Sequence, residues 1–301
     1  MVGILLQKIT RRKIQIVLGS LWLLDGVLQL QHQMFTANFV HAVIAPAAQG
    51  QPQFVSGVMH FWIRIFLHQP VLCNLLIALI QLGLGILILC RRTARFGLLS
   101  SAIWGLFVWY VGEGLGGLFT GRASLIMGAP GAAILYVIIA LGVLPLSSDH
   151  HDNDYPASWL AVVWAVVWLG GATLQLQSGQ NTAASLSSML IGMSDGGMPG
   201  WLGAMYIHVG HLVQDAGNLG IVALIAVQAC IGLCIFLPRW FRITAVSLGI
   251  ALSILFWAVG QSFGSYYSGL ATDPNTAPLI ILLGIAVLSA SDMVKLTLFS
   301  S

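Results

Sequence analysis

Residues 14–31 read IQIVLGSLWLLDGVLQLQ, and the pattern returns at residues 160–177 as LAVVWAVVWLGGATLQLQ. Both segments are close to the roughly 20 mostly apolar residues that a membrane-spanning helix needs. Trp22 and Trp168, and the closing Leu-Gln-Leu-Gln of each segment, are separated by the same 146 residues. The pair therefore predicts two equivalent membrane helices, one in each half of the chain.

The composition of the whole chain agrees with this interpretation. Of 301 residues, 58% are hydrophobic and only 7% are charged, and the mean hydropathy is +0.91. A soluble domain carries about 25% charged residues. The four cysteines show no zinc or redox spacing, which favours simple packing roles. We therefore predict an all-α, polytopic membrane protein.

Eight membrane spans follow from the apolar runs: residues 14–31, 71–90, 96–119, 131–147, 158–177, 218–237, 243–263 and 277–295. Most basic residues form three groups at 8–13, 91–95 and 239–242, and each group borders a predicted span. The positive-inside rule then places both termini in the cytoplasm, with the chain in the cell inner (plasma) membrane. Because the charges mark membrane topology, we expect no nucleic-acid partner and the lipid bilayer as the main surroundings.

Two long segments without a clear span, about 32–70 and 178–217, are predicted on the outer side. They are rich in aromatic residues, histidine and methionine, so we expect helices that lie at the interface or dip into the bundle. Residues 148–157 are hydrophilic and are predicted to be a cytoplasmic linker.

The duplication extends beyond the first helix. Gln81 matches Gln228 at an offset of 147, and Gly112 matches Gly260 at 148. Residues 1–147 and 158–301 are therefore predicted to be two four-helix repeats in the same orientation, related by an axis along the membrane normal. The Ala-Pro pair at 129–130 is matched with the pair at 277–278 in this comparison.

Positions at which the two repeats differ identify candidate functional residues. Asp25 corresponds to Gly171, and Glu113 corresponds to Gln261. An acid within a membrane helix costs about 2.5–3.5 kcal/mol, so such acids usually face a cavity or a partner. Asp25 could equally be a hydrogen-bonded structural carboxyl. For Glu113 we favour a functional role, because a glutamine occupies the matched position.

Histidines and methionines on the outer side form a second candidate site. His208 and His211 share a helix face with Asp215, and this set could bind copper, zinc or iron. Histidines on facing helices, including His60, could hold a haem, and nearby methionines would suit Cu(I). Alternatively, these residues could form a proton relay instead of a metal site.

The first helix, from Leu18 to Leu30, resembles the opening helix of the DoxX/DoxD-like family of small four-helix membrane proteins. The four-span unit with an outer insertion after its first span is also similar. The resemblance implies a membrane subunit of a quinone-linked redox system, with partner redox subunits and a quinone-dependent oxidoreductase activity as expectations. A quinone would then lie near Trp104, Trp109 and Tyr110, and Glu113, Asp25, His60 and His208 would be the catalytic groups that exchange its protons.

Two other functions fit the same residues. A transporter or a copper- or haem-handling protein would use the acids and the histidine cluster to line an outward-facing site. A non-catalytic assembly or scaffold subunit would use them only for structure.

Overall fold

The computed structural model describes residues 9–144, 156–177 and 179–291, and all regular secondary structure in these ranges is helical. In the first part of the chain, α1 is Arg11–Leu28, α2 is Ala37–Ala47, α3 is Gln53–His68, α4 is Pro70–Leu89, α5 is Ala94–Val111 and α6 is Ala132–Gly142. In the second part, α7 is Leu160–Leu174, α8 is Ala183–Met193, α9 is Gly200–Leu233, α10 is Arg239–Val259 and α11 is Thr276–Ser291.

The helices pack in two corresponding series. Helix α1 packs on α4, α4 on α5, and α5 on α6, while α7 packs on α9, α9 on α10, and α10 on α11. The two series meet where α6 contacts α11. Trp22, Trp164 and Trp168 are fully buried members of the large apolar core that runs through both series.

Four helical segments are long and apolar enough to cross a membrane by length and composition: Pro70–Leu89, Ala94–Val111, Gly200–Phe236 and Arg239–Ser268. Many leucine, isoleucine and valine side chains on the outside of these helices are exposed, as expected for a surface in contact with lipid. This supports the prediction of a membrane protein associated with the bilayer.

The other four predicted spans contain helices of 18, 11, 15 and 16 residues, in α1, α6, α7 and α11. At 1.5 Å per residue, 11 residues reach only about 16 Å, roughly half of the hydrocarbon core. The predicted span 96–119 is also interrupted, because α5 ends at Val111. Helix α1 has the same length as its predicted span, displaced by three residues towards the N-terminus, whereas α7 is five residues shorter than predicted. Helix α11 reaches Ser291, the last described residue, so its predicted end at 295 lies outside the described residues.

The outer segments are helical, as predicted. Helices α2 and α3 enclose a separate small apolar core that includes Phe39, Met59 and Phe66. Helix α9 is interrupted at Gly217, whose φ of 63° and ψ of −168° are not helical. The change from the outer segment to the span predicted at 218 therefore coincides with a real break. Most of the predicted linker lies outside the described residues.

Candidate functional site

A cavity of about 120 Å³, which we call the inner cavity, lies between α1, α5, α6 and the loop before α11. Its wall carries three carboxyl side chains, those of Asp25, Glu113 and Asp273. Most of the remaining wall is aromatic or aliphatic, and within the described ranges no lysine, arginine or histidine lines it. The three acids therefore face one space without a cationic partner in its wall.

Asp25 projects into the inner cavity from the last part of α1. The residue is 1% exposed, and its Oδ1 has no hydrogen-bond partner among the described residues. The next residue, Gly26, allows α1 to approach α4 closely, since a Cβ there would lie 2.6 Å from Cγ of Leu82. This close packing holds Asp25 against the cavity, next to Tyr136.

Glu113 lies two residues beyond the end of α5 and reaches the start of α6. Its Oε1 accepts a hydrogen bond from the backbone N–H of Ala133 at 3.0 Å, which satisfies one of the free donors at a helix N-terminus. Gly131 makes room for the carboxyl, because a Cβ at that position would lie 2.1 Å from Oε2. The buried Oε2 has no hydrogen-bond partner among the described residues, so half of the carboxyl is available to a ligand.

The environment of Glu113 favours its protonated form. Burial, followed by the charge of Asp273, raises the pKa of Glu113 from 4.5 to about 8, against the opposing effect of the backbone N–H groups of Ala133 and Ala132. A carboxyl that titrates near neutral pH is suited to proton exchange.

Asp273, on the loop before α11, is a site residue that the sequence analysis did not identify. Its Oδ1 accepts the backbone N–H of Asn275 at 2.7 Å, and its Oδ2 accepts the Thr272 hydroxyl at 2.6 Å. Burial raises the pKa of Asp273, and these two hydrogen bonds oppose the increase. The loop thus holds the carboxyl in a defined position beside Glu113.

A corresponding arrangement without acids occurs at the end of α10. Gln261 Oε1 accepts the backbone N–H of Ala277 at 2.9 Å, as Glu113 accepts from the start of α6. A Cβ at Gly171, the position that the sequence comparison matches with Asp25, would lie 2.6 Å from Oε1 of Gln228 and 2.8 Å from Cδ2 of Leu125. In the second part of the chain, the matched positions therefore carry no acid. The space beside Gly171 is occupied by the side chains of Gln228 and Leu125.

Two tryptophans show how the loops correspond. The ring N–H of Trp109 donates to the Pro130 carbonyl at 2.7 Å, and that of Trp257 donates to the Pro274 carbonyl at 2.8 Å. The match of Pro130 with Pro278 in the sequence comparison is therefore wrong, since the second loop is shorter and its equivalent proline comes earlier. An alignment of Pro130 with Pro274 would have paired Ala129 with Asp273. The acid would then have been noticed as a position at which the two halves differ.

The predicted aromatic residues have different positions. Trp104 lines the inner cavity, and its buried ring N–H has no hydrogen-bond partner among the described residues. Trp109 and Tyr110 do not line it; they hold loops, Tyr110 by donating to the Phe54 carbonyl at 2.7 Å. Tyr136, beside Asp25, completes the polar wall with Gln29 and Gln81. The side-chain oxygens of Gln29 and Gln81 have no partner in the described ranges.

The histidine residues are not part of the inner cavity. His60, His208, His211 and Asp215 are all exposed. Within residues 9–144, 156–177 and 179–291, no group of three or more histidine, cysteine, aspartate or glutamate side chains is arranged to hold a metal ion. The sequence placed His208, His211 and Asp215 on one helix face, but the described part of the chain adds no further ligand to complete a metal site there.

No family model, curated protein or solved structure matches this chain. Its function is therefore argued from the geometry of the inner cavity.

Proposed function

We propose that this protein is a membrane subunit of a quinone-linked redox system, and that the inner cavity binds the ring of a quinone. Asp25 and Glu113 exchange protons with the hydroxyl groups of the reduced ring. The electrons pass to or from a partner redox subunit. Trp104 forms one aromatic wall of the binding site.

The observation that carries this proposal is that the inner cavity lies next to an apolar groove and shares four wall residues with it. The groove has a volume of about 810 Å³ and lies between α3, α4 and α5. Phe66, Ile77, Trp104 and Phe107 line both spaces. A ligand with an apolar tail and a polar ring would place its tail in the groove, towards lipid, and its ring against the carboxyls.

The polar atoms of the cavity indicate which form of the ring binds better. The side-chain oxygens of Gln29 and Gln81, which can only accept, have no partner among the described residues, and Trp104 supplies one unpartnered N–H. The carboxyls and the Tyr136 hydroxyl in the same wall can each donate or accept. A hydroquinone carries two hydroxyl donors, and buried acceptors cost about 1–3 kcal/mol each when they remain unsatisfied. We therefore expect the reduced ring to bind more tightly than the oxidised ring.

The chain itself supports a functional role for the acid at Glu113. Gln261 caps the start of α11 as Glu113 caps the start of α6, so a glutamine is sufficient for the structural task. The carboxyl adds a charge and a proton, at a cost in desolvation. A role of the Glu113 carboxyl in proton exchange would explain why the protein accepts this desolvation cost.

We also propose the architecture and location expected from the sequence: eight spans in two four-helix repeats, residues 1–147 and 158–301, in the plasma membrane with both termini cytoplasmic. The matching order of helix contacts in the two series supports the repeat. The shared hydrogen-bond pattern of the two loops supports it independently. A relationship to the DoxX/DoxD-like family is part of the same proposal.

Quinone binding is tested with purified protein in lipid nanodiscs and a benzoquinone that carries a decyl tail, in its oxidised and reduced forms. Quenching of tryptophan fluorescence reports binding, and Trp104→Phe identifies the quenched ring. We expect the reduced form to bind more tightly, and Asp25→Asn to weaken it by roughly tenfold, the effect of about 1.4 kcal/mol.

Asp215→Asn, a change at an exposed acid away from the cavity, is the matched control and should leave the affinity unchanged. Equal, weak partitioning of both forms into the wild type, Asp25→Asn and Asp215→Asn would refute the quinone site. A transporter is the second candidate, because the same acids could bind a translocated cation, and saturable uptake of a cation by proteoliposomes without any quinone effect would favour it.

A further inference from the structure

A second cavity, with a more polar lining, borders the same carboxyl pair. This outer cavity has a volume of about 340 Å³ and is lined by loop residues that include Thr120, Arg122, Ser124 and Asn275. Glu113 and Asp273 line both the outer and the inner cavity. Arg122 and Thr120 lie in an exposed or partly exposed part of the loop, so the outer cavity faces away from the packed core.

We propose that Glu113 and Asp273 form the proton connection between the inner cavity and the aqueous surface, with Asp25 at its inner end. This inference rests on the proposed function only for the source of the proton. The donor O–H bond in the inner cavity breaks as an O–H bond forms on a carboxylate oxygen, and the proton leaves through the outer cavity. The reverse sequence of steps delivers protons inward.

The free oxygen of Glu113 makes it the mobile part of this connection. Oε1 is occupied by the Ala133 N–H, whereas buried Oε2 has no partner in the described ranges. Both oxygens of Asp273 are held by hydrogen bonds within its own loop. Glu113 can therefore change its protonation state next to a carboxyl whose position stays constant.

The inner end of the connection is marked by unsatisfied polar atoms. Asp25 is 1% exposed and Gln81 is 5% exposed; both line the inner cavity, and each has a side-chain oxygen without a partner among the described residues. A volume of about 120 Å³ has room for several water molecules, since one needs about 10–15 Å³ of such space. Water can thus link the carboxyl of Asp25 to that of Glu113.

The charged and titratable groups around Glu113 come from several elements. Asp25 belongs to α1, Tyr136 to α6, Arg122 to the loop after α5 and Asp273 to the loop before α11. The negative charge of Asp273 raises the pKa of Glu113, and burial contributes more. The two neighbouring acids therefore hold a proton at a pH at which isolated carboxyls have lost theirs.

The test follows hydrogen–deuterium exchange of carboxyl groups by infrared spectroscopy, without quinone. The protein is held at a pH low enough to protonate every carboxyl, and the band that Asp25→Asn removes identifies Asp25. After transfer to heavy water, we expect this band to exchange more slowly in Glu113→Gln, by on the order of a hundredfold. Asp273→Asn should slow it to a smaller extent.

Glu113→Gln should remain folded, because Gln261 already makes the equivalent hydrogen bond in this chain. Asp215→Asn is the control and should exchange as the wild type does. Exchange of the Asp25 band at the wild-type rate in both Glu113→Gln and Asp273→Asn would overturn the proposed connection. Since no quinone is present, this result is independent of whether the quinone experiment succeeds.

Discussion

The dependence of stability on pH gives the sharpest prediction, and it concerns Glu113→Gln. In the unfolded chain this carboxyl loses its proton near 4.5, whereas in the folded protein its pKa is about 8. Between these values the native state binds the proton and the unfolded state does not, so the stability of the wild type decreases as the pH rises. The glutamine variant has no carboxyl to titrate at this position, so its stability should not decrease with pH for this reason.

The size of the effect follows from the two pKa values. Each tenfold change in an ionisation constant corresponds to about 1.4 kcal/mol, so a change from 4.5 to about 8 corresponds to about 5 kcal/mol. The free energy of unfolding of Glu113→Gln, relative to that of the wild type, should therefore increase by about 5 kcal/mol across this range. Above pH 8 the difference should be constant.

The assay is denaturant-induced unfolding in detergent, followed by circular dichroism at a series of pH values. Asp273→Asn provides an internal check, because removing that charge should lower the pKa of Glu113 and shorten the pH range over which stability is lost. The control Asp215→Asn should follow the wild type. Parallel stability curves for the wild type and Glu113→Gln would show that Glu113 titrates normally, and our account of its environment would then be wrong.

Three further predictions concern packing and the second loop. Gly131→Ala should destabilise the protein by about 1–3 kcal/mol, since the new Cβ would lie 2.1 Å from an oxygen of Glu113, and truncating that acid to alanine should recover part of the loss in a thermal melt. Gly85→Ala should cost a similar amount, because its Cβ would lie 2.6 Å from a leucine side chain of α1, whereas Gly83→Ala, with open space around it, should be neutral or raise the Tm. Gln261→Glu should introduce a new loss of stability with increasing pH, because position 261 is buried and ionisation of the new carboxyl there costs desolvation. A pH-independent Tm difference from the wild type would contradict this.

The prediction of individual helices from the sequence was reliable where the apolar run and the helix end coincide. Helix α4, Pro70–Leu89, lies within one residue of its predicted limits at each end. It was less accurate around α5 and α6, where the apolar run continues through a glycine-rich loop. Hydrophobicity reports only where a segment is buried or in lipid, and both a helix and a covered loop satisfy that condition.

The prediction of site residues had a similar limit. Asp25 and Glu113 were singled out because burying an acidic side chain within an apolar segment costs free energy, whichever surface of the helix carries it. The histidine cluster was suggested by helical spacing alone, and spacing on one helix does not supply the second helix that a metal site requires. Asp273 lies in a short polar turn, where an aspartate needs no special explanation, so its role became visible only from its neighbours.

The amino-acid sequence alone determined that this chain prefers a membrane, which segments become helices and which residues carry an unusual cost, because these properties depend on local composition. Only the tertiary structure decided that acids from α1, the end of α5 and the loop before α11 meet in one cavity. It also decided that an apolar groove and a more polar cavity both border that cavity. The reason is physical: the distance between residues 25, 113 and 273 is set by how the helices pack, and no local preference encodes it.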